Sequence, residues 1–266
     1  MRVRLLPSPP LPGALNMALD DALLARARET GEVHVRAYAW ARPTLSLGRN
    51  QRAAGLYDPD RLAERGIDVV RRPTGGRAIL HWREVTYAVT APLGVLAPAD
   101  APLKAAYARI NAVLLAALRA MGVPAREAVP AGRAPLPDGA PCFEVPTGGE
   151  LVLDGPDGAR KLVGSAQWRE EGALLQHGSI LLADDQTTVG TLATRPLPPV
   201  PPPATLGEAL GRMPPLDEVT AALFDAARAL LDPDATLLDD RELAALDAAA
   251  GARAAHYRDG RWTWRR

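Results

Sequence analysis

An α+β protein is expected, with mixed and antiparallel sheets flanked by helices and a small helical C-terminal appendage. Three observations predict it. Stretches of alternating apolar and polar residues mix with stretches of helical spacing, without the regular βαβ repeat of a doubly wound sheet. Glu150 to Leu153, Lys161 to Ala166 and Leu174 to Leu182 read as successive antiparallel strands, turned at Asp154 to Gly158 and Glu170 to Gly172. Finally, Pro196 to Pro203 carries six prolines, a stiff extended stretch that suits neither helix nor central sheet. It divides the chain into residues 1–195, a connector over 196–214, and a helical segment over 215–266.

At 266 residues the chain is long enough for one large core or for a core domain with a small addition. Hydrophobic residues make up 47% and charged residues 23%, the balance of a soluble globular protein. Lys plus Arg and Asp plus Glu each number 31. Zero net charge argues against a broad electrostatic grip on nucleic acid or an anionic membrane. No apolar run approaches the ~20 residues of a membrane span, and the apolar stretch after Met1 is too short for a secretory signal. A cytoplasmic monomer is expected. A single cysteine excludes an intrachain disulfide framework and a cysteine-based zinc cluster, and no metal site is expected.

Asn16 to Arg28 has the spacing of an amphipathic helix, with Met17, Leu19, Leu23 and Leu24 apolar and Asp20, Asp21, Arg26 and Arg28 charged. Val33 to Trp40 alternates as a strand, and Thr44 to Leu47 follows Pro43. Asp58 caps a short helix that Pro59 opens and Gly66 ends. Ile67 to Val70 and Ala78 to Leu80 are apolar runs on either side of a turn; Val85, Tyr87 and Val89 then form one face of a half-buried strand. Ala101 to Met121 is a long helix with Ile110, Leu114, Leu115 and Leu118 at helical spacing. Ala131 to Gly149, rich in proline and glycine, is a long irregular loop that carries Cys142. Asp184 to Leu192 reads as a short helix. Pro215 to Leu231 and Asp240 to Tyr257 read as two longer ones, and Arg261 to Arg266 as a terminal strand docked through Trp262 and Trp264.

The chemistry concentrates in a few of these stretches. The turn before Ala78 is built on Pro73, Thr74, Gly75 and Gly76. Adjacent glycines let backbone pass where a Cβ would obstruct, so N–H groups can face a ligand. Arg71, Arg72, Arg77 and His81 flank the opening with donors suited to a carboxyl, phosphate or carbonyl oxygen. The plain alternative is a tight turn with solvated arginines. Lysine occurs only at Lys104 and Lys161 among the 31 basic residues. Where arginine is the default, a lysine suggests work a guanidinium cannot do, such as losing a proton near neutral pH. Lys104 starts a helix and is incidental on this reading, whereas Lys161 lies where proton transfer would be wanted. His177 either faces a ligand or ties its strand pair by a hydrogen bond. Cys142 is either a buried inert side chain or, in so long a loop, a reactive thiol.

Read in order, Leu15-Asn-Met-Ala-Leu-Asp-Asp-Ala-Leu-Leu24, Pro43-Thr-Leu-Ser-Leu-Gly-Arg-Asn-Gln51, Arg71-Arg-Pro-Thr-Gly-Gly-Arg-Ala-Ile-Leu-His81 with Tyr87 after it, Lys161-Leu-Val-Gly-Ser-Ala-Gln167 and Leu175-Gln-His-Gly-Ser-Ile-Leu-Leu182 resemble the biotin/lipoate A/B protein ligase family. The resemblance implies that family's catalytic-domain fold and the joining of an octanoyl or lipoyl group to a lysine of a carrier domain. One branch activates the free acid with ATP and Mg as an acyl-adenylate and needs no cysteine. Another takes octanoyl from acyl-carrier protein through a cysteine thioester and passes it to a lipoyl domain such as the glycine-cleavage H protein. This chain resembles the second branch. Its motif ends Thr-Gly-Gly-Arg77 where the ATP-using ligases more often have a third glycine, Cys142-Phe143 precedes the Lys161 motif, and the residues after the proline stretch leave no room for a ligase accessory domain. It departs from the pattern between Cys142 and Lys161, where the segment is longer and richer in glycine.

The resemblance implies Cys142 and Lys161 as the catalytic pair. It implies Arg72, Thr74, Gly75, Gly76, Arg77, His81, Gly164, Ser165, Ala166, His177 and Gly178 as contacts of the acyl group or substrate. It implies no cofactor; ATP and Mg belong to the ATP-dependent lipoate ligase, the second reading. The same motifs would also suit an amidotransferase that moves octanoyl between lipoyl domains, or a non-catalytic homologue that binds acyl groups or carrier domains. Thioester exchange needs a thiolate, which a nearby ammonium favours. A neutral lysine could take a proton from the incoming amine and later return one to the leaving thiol. N–H groups near Gly76 and Arg77 would hold the oxyanion. An octanoyl chain wants a narrow apolar groove, with Val163 and the Gly75–Gly76 turn as walls; at ~0.8 kcal/mol per buried methylene it would contribute about 5 kcal/mol.

Overall fold

The computed structural model describes residues 1–98, 100–129, 149–199 and 201–266. The chain runs through β1 (Val3–Pro7), α1 (Gly13–Thr30), β2 (Val33–Tyr38), β3 (Thr44–Leu47), α2 (Pro59–Glu64), β4 (Asp68–Arg71), β5 (Ile79–His81), β6 (Glu84–Pro92) and α3 (Leu103–Ala120). It continues through β7 (Arg126–Glu127), β8 (Leu151–Gly155), β9 (Gly158–Glu170), β10 (Ala173–Leu181), a 3-10 turn (Gln186–Leu192), α4 (Leu206–Leu210), α5 (Leu216–Leu230), β11 (Thr236–Leu237), α6 (Asp240–Arg258) and α7 (Gly260–Thr263).

The described strands form two sheets. The larger has the order β11-β1-β2-β6-β10-β9-β8-β7, and the smaller β4-β3-β5. Both are mixed: β1 pairs parallel with β2 and β11, and β3 parallel with β4, while β2, β6, β10, β9, β8 and β7 run antiparallel in turn. The α+β architecture expected from the chain is the one observed. Because the large sheet is covered on both faces, its strands read as continuous apolar runs as often as alternating ones. On one face Ile110, Leu114 and Leu118 of α3 and Val219, Leu223 and Phe224 of α5 pack against Val35, Tyr87 and Leu174 of the sheet. On the other, Leu19 and Leu23 of α1 and Leu246 and Ala250 of α6 pack around Tyr38, Ala88 and Leu175. The small sheet has its own core, built from Leu45, Leu47, Leu62 and Leu80.

Residues 215–266 are helical as expected, and they do not stand apart. The α5 helix lies in the main core, α6 packs on α1, and β11 adds a parallel strand to β1. Arg261 to Arg266 is not a strand. Asp259 instead caps the short helix α7 by accepting from the Arg261 N–H, and the Arg266 carbonyl accepts from the N–H groups of Ala53 and Ala54. Trp262 and Trp264 still dock the segment, Trp262 through a 2.8 Å bond from its indole to the Arg71 carbonyl and Trp264 against the small-sheet core. The Asp184 to Leu192 segment takes the tighter 3-10 form over Gln186–Leu192. Among the described residues, no helix is long and apolar enough to cross a membrane.

Candidate active site

Where the two sheets meet, a cavity opens beneath the β4–β5 loop. Met17 of α1 and Trp40, just after β2, line it with Ile79, and Thr86 of β6 joins them. Gly164, Ser165 and Ala166 of β9 and His177, Gly178 and Ser179 of β10 form the floor. Arg72, Gly76 and His81 reach it from the loop side. Eight residues singled out in the sequence therefore converge on one cavity: Arg72, Gly76, His81, Gly164, Ser165, Ala166, His177 and Gly178.

The loop owes its path to one close contact. A Cβ on Gly48 would stand 1.9 Å from the Gly76 carbonyl oxygen, so no other residue at 48 lets β3 approach the loop this closely. Gly76 has φ +92, a conformation that side-chain-bearing residues rarely adopt. Arg72 braces the turn from below. Its guanidinium donates to the carbonyls of Ser46 (2.9 Å), Gly75 (2.8 Å) and Arg77 (2.8 Å). Arg72 is thus committed to the backbone that shapes the loop, and a substrate oxygen would have to share those donors. Arg71 is fully buried and donates to the carbonyls of Gly48, Gln51 and Thr263, tying the β3–β4 region to α7. Burial, then the nearby Arg265 and Arg72, lowers it to about 10.

Behind the cavity lies a buried polar chain. Thr74 Oγ1 is 2.7 Å from His177 Nε2, and His177 Nδ1 is 2.9 Å from Asp20 Oδ2. Asp20 also accepts from Arg36 at 2.6 Å and from the Tyr38 hydroxyl at 2.9 Å. Arg36 continues to Asn16 Oδ1 and Ser8 Oγ. Burial works to raise the Asp20 carboxyl and is outweighed by the Arg36 guanidinium and the His177 ring, which hold it below the usual carboxylate range. Burial lowers His177, against the pull of Asp20. A neutral ring facing a carboxylate carries its proton on Nδ1, so Nε2 accepts from the Thr74 hydroxyl. The His177 ring does not tie its own strand pair: its bonds run to Asp20 of α1 and to Thr74 of the β4–β5 loop, and the ring borders the cavity as well. Thr74 is held against it, and neither Thr74, Gly75 nor Arg77 is among the cavity's described lining.

The register of the large sheet explains Gly178. Tyr87, Gly178 and Ser165 lie in one row across β6, β10 and β9. With no side chain between them, the Tyr87 hydroxyl spans the middle strand to Ser165 Oγ at 2.6 Å. A Cβ at 178 would meet the Gly164 carbonyl at 2.3 Å and Tyr87 Cε1 at 2.8 Å. Burial pushes the Tyr87 phenol up to about 12, so it stays protonated and available to that row.

Lys161 sits early on β9, three residues before the lining begins. It is 1% exposed, and its ammonium is 2.6 Å from Glu150 Oε1, itself buried. Val163, expected as a groove wall, is fully buried in the main core, and Met17, Trp40 and Ile79 supply the apolar lining in its place. Cys142, with nearly all of the Pro/Gly-rich stretch around it, lies outside the described residues. Among the described residues, no group of three or more His, Cys, Asp or Glu could hold a metal ion.

Several residues of the site are not apparent from the sequence. Helical spacing puts Asp20 on a solvated face of α1, and it is instead fully buried. The clue is Arg36, a charge in the middle of Val33-His-Val-Arg-Ala-Tyr38, where every residue is buried and an arginine needs an acid. Glu150 and Glu84 give no spacing signal, since their partners are set by strand pairing.

Two mixed sheets thus enclose a cavity under a Gly-Gly loop, with a buried lysine on the floor strand. The chain belongs to the lipoyl protein ligase A/B catalytic domain family, whose sequence model matches residues 12–228. Among curated relatives, the octanoyltransferase LipM of Kyrpidia tusciae is 45% identical over 175 residues, 64% of this chain and 62% of that protein. The octanoyltransferase LipM of Geobacillus kaustophilus is 42% identical over 193 residues, 70% of this chain and 67% of that protein. The matched stretch thus spans less than two thirds of the first of these relatives. Among solved structures, the bipartite lipoate protein ligase of Thermoplasma acidophilum superimposes with a TM-score of 0.76 at 21% identity, covering 99% of this chain and 96% of that one. A lipoate-protein ligase A bound with ATP gives 0.74 at 21% identity, covering 99% of each chain. These two establish a shared fold.

Proposed function

We propose that this protein is an acyltransferase of protein lipoylation. It moves an octanoyl group from acyl-carrier protein to a lysine of a lipoyl domain, such as the glycine-cleavage H protein, by way of a thioester on Cys142. The relatives named octanoyltransferase support the group transferred. The observation that carries the reading is Lys161: one of two lysines in the chain, almost wholly buried, ion-paired to Glu150, and on the strand that continues into the cavity floor.

In the first half-reaction the Cys142 thiolate attacks the thioester carbonyl of the donor, the new C–S bond forms, and the carrier's thiol leaves. In the second, the acceptor amine attacks the Cys142 thioester, a C–N bond forms, and the C–S bond to Cys142 breaks. An ammonium at Lys161 favours the thiolate before attack and offers a proton to each leaving sulfur. The oxyanion of each tetrahedral intermediate falls to N–H groups near Gly76 and Arg77. Met17, Trp40 and Ile79 give the hydrocarbon chain its apolar surroundings.

The test is ATP-free transfer from octanoyl-acyl-carrier protein to an unmodified lipoyl domain, wild type against Lys161→Ala. The expected result is turnover without ATP and a loss of roughly 10²- to 10⁴-fold in kcat for the variant. Undiminished turnover in the variant, or turnover only with ATP and free octanoate, contradicts the reading.

A further inference from the structure

Glu84 stands behind the cavity rather than in it. Its side chain is 1% exposed, yet three residues that line the cavity converge on its Oε1. His81 Nδ1 is 2.8 Å away, Ser179 Oγ donates at 2.8 Å, and Thr86 Oγ1 donates as well. Trp40, also in the lining, joins the group twice. Its indole N–H donates to Thr86 Oγ1 at 2.7 Å, and its ring stacks on His81 with centroids 4.1 Å apart and planes 11° from parallel. One buried carboxylate thus organises four side chains of the cavity wall.

A carboxylate can only accept, which fixes every hydrogen in the cluster. Ser179 and Thr86 must point their O–H groups at Glu84, and His81 must carry its proton on Nδ1. The Nε2 atom on the far side of the ring then holds a lone pair; the bond to Glu84 opposes a flip of the ring, and the stack on Trp40 limits its tilt. Orientation of a histidine by a carboxylate at its other nitrogen is how tautomer and basicity are commonly set.

We propose that Glu84 is a positioning residue that holds His81 as a proton acceptor facing the cavity. The proposal rests on the thioester reading and supplies what that reading lacks. On that reading Lys161, paired with Glu150, gives the proton to the leaving sulfur, whereas aminolysis also needs one taken from the amine. As the acceptor lysine's nitrogen bonds to the thioester carbon, an N–H proton passes to His81 Nε2. The C–S bond breaks, and the Cys142 sulfur leaves with the proton from Lys161. Solvent reprotonates Lys161 between the two half-reactions and takes the proton from His81 after the second, and the Cys142 thiol passes its proton back to Lys161. The other charged or titratable groups lining the cavity are Arg72 on the loop, Tyr38 and His177, with Asp20 behind the last two.

The experiment has two readouts, one independent of activity. The chain has four histidines, so ring 15N chemical shifts, assigned with His81→Gln, report the protonation of His81 directly at assay pH. The expected wild-type signature is a neutral Nδ1–H ring, and Glu84→Gln should give a mixture of tautomers. In single-turnover kinetics, Glu84→Gln should slow transfer from the preformed acyl-enzyme to the lipoyl domain by about tenfold or more. Formation of the acyl-enzyme and KM for the acceptor should stay within about twofold. A wild-type ring protonated on Nε2, or on both nitrogens, overturns the proposal. So does an unaltered second step in Glu84→Gln. If that variant does not fold, the wild-type spectrum still decides the tautomer. If no acyl-enzyme forms at all, the thioester reading fails while the nitrogen shifts still report on Glu84 and His81.

Discussion

Asp20 and Arg36 are both fully buried, and each is tolerable only because of the other. Desolvating an unpaired charge costs several kcal/mol, so such a pair specifies geometry more than it adds stability. Here it fixes α1 against β2 and carries the order on to His177, Thr74 and the Gly-Gly loop. The buried histidines give this interior a defined response to pH. His34 is pushed down to about 3 by burial first, then by Arg26 and Arg4, and His177 moves in the same direction. Each ring is harder to protonate in the folded state, so unfolding at pH below the ordinary 6.5 takes up protons. The unfolded state then binds more protons, so stability is complete above that value and falls as the pH drops toward 3. The slope expected from His34 alone is roughly 1.4 kcal/mol per pH unit within that window. Urea unfolding at pH 7.5, 6 and 5 checks this; the prediction is a falling midpoint that His34→Gln makes shallower. Asp20, held low, adds its loss only below its ordinary 3.8.

At the scale of elements, the last fifty residues complete the core rather than decorate it. Leu223 is 1% exposed between α3 and the sheet. Leu223→Ala should cost about 2–5 kcal/mol, the usual range for a large cavity in a packed interior, and chemical denaturation would measure it. A loss under about 1 kcal/mol would mean that α5 is an appendage after all. That residues 216–230 form a helix with one apolar face is legible from Leu216, Val219, Leu223 and Leu230. What that face covers is not, because periodicity reports a stripe and not its partner. The same limit hides β11: two residues, Thr236 and Leu237, become a strand only because β1 offers an open edge. Arg261 to Arg266 shows the reverse failure. Alternating tryptophans suggest a strand, whereas Asp259 caps a helical turn, and a cap outweighs alternation in so short a segment. The β8–β9–β10 meander reads closely because turn chemistry and alternation agree there.

Over the whole molecule, the cavity exists only when α1, the β2–β3 connection, the β4–β5 loop, β6, β9 and β10 are brought together. Stretches far apart in the sequence carry its glycines, His81 and His177 in recognisable motifs. The carboxylates that organise them do not stand out: Asp20 looks like surface charge, while Glu84 and Glu150 acquire meaning only through the strands that face them. Intact-protein mass tests most directly for a covalent octanoyl-enzyme. Wild type and Cys142→Ala are incubated with octanoyl-acyl-carrier protein and no ATP, then weighed before and after hydroxylamine. An octanoyl adduct, removed by hydroxylamine, is expected on wild type alone. An unmodified wild type that, given octanoate and ATP, nonetheless acylates a lipoyl domain would contradict the thioester reading, and would leave Cys142 without a part in the chemistry.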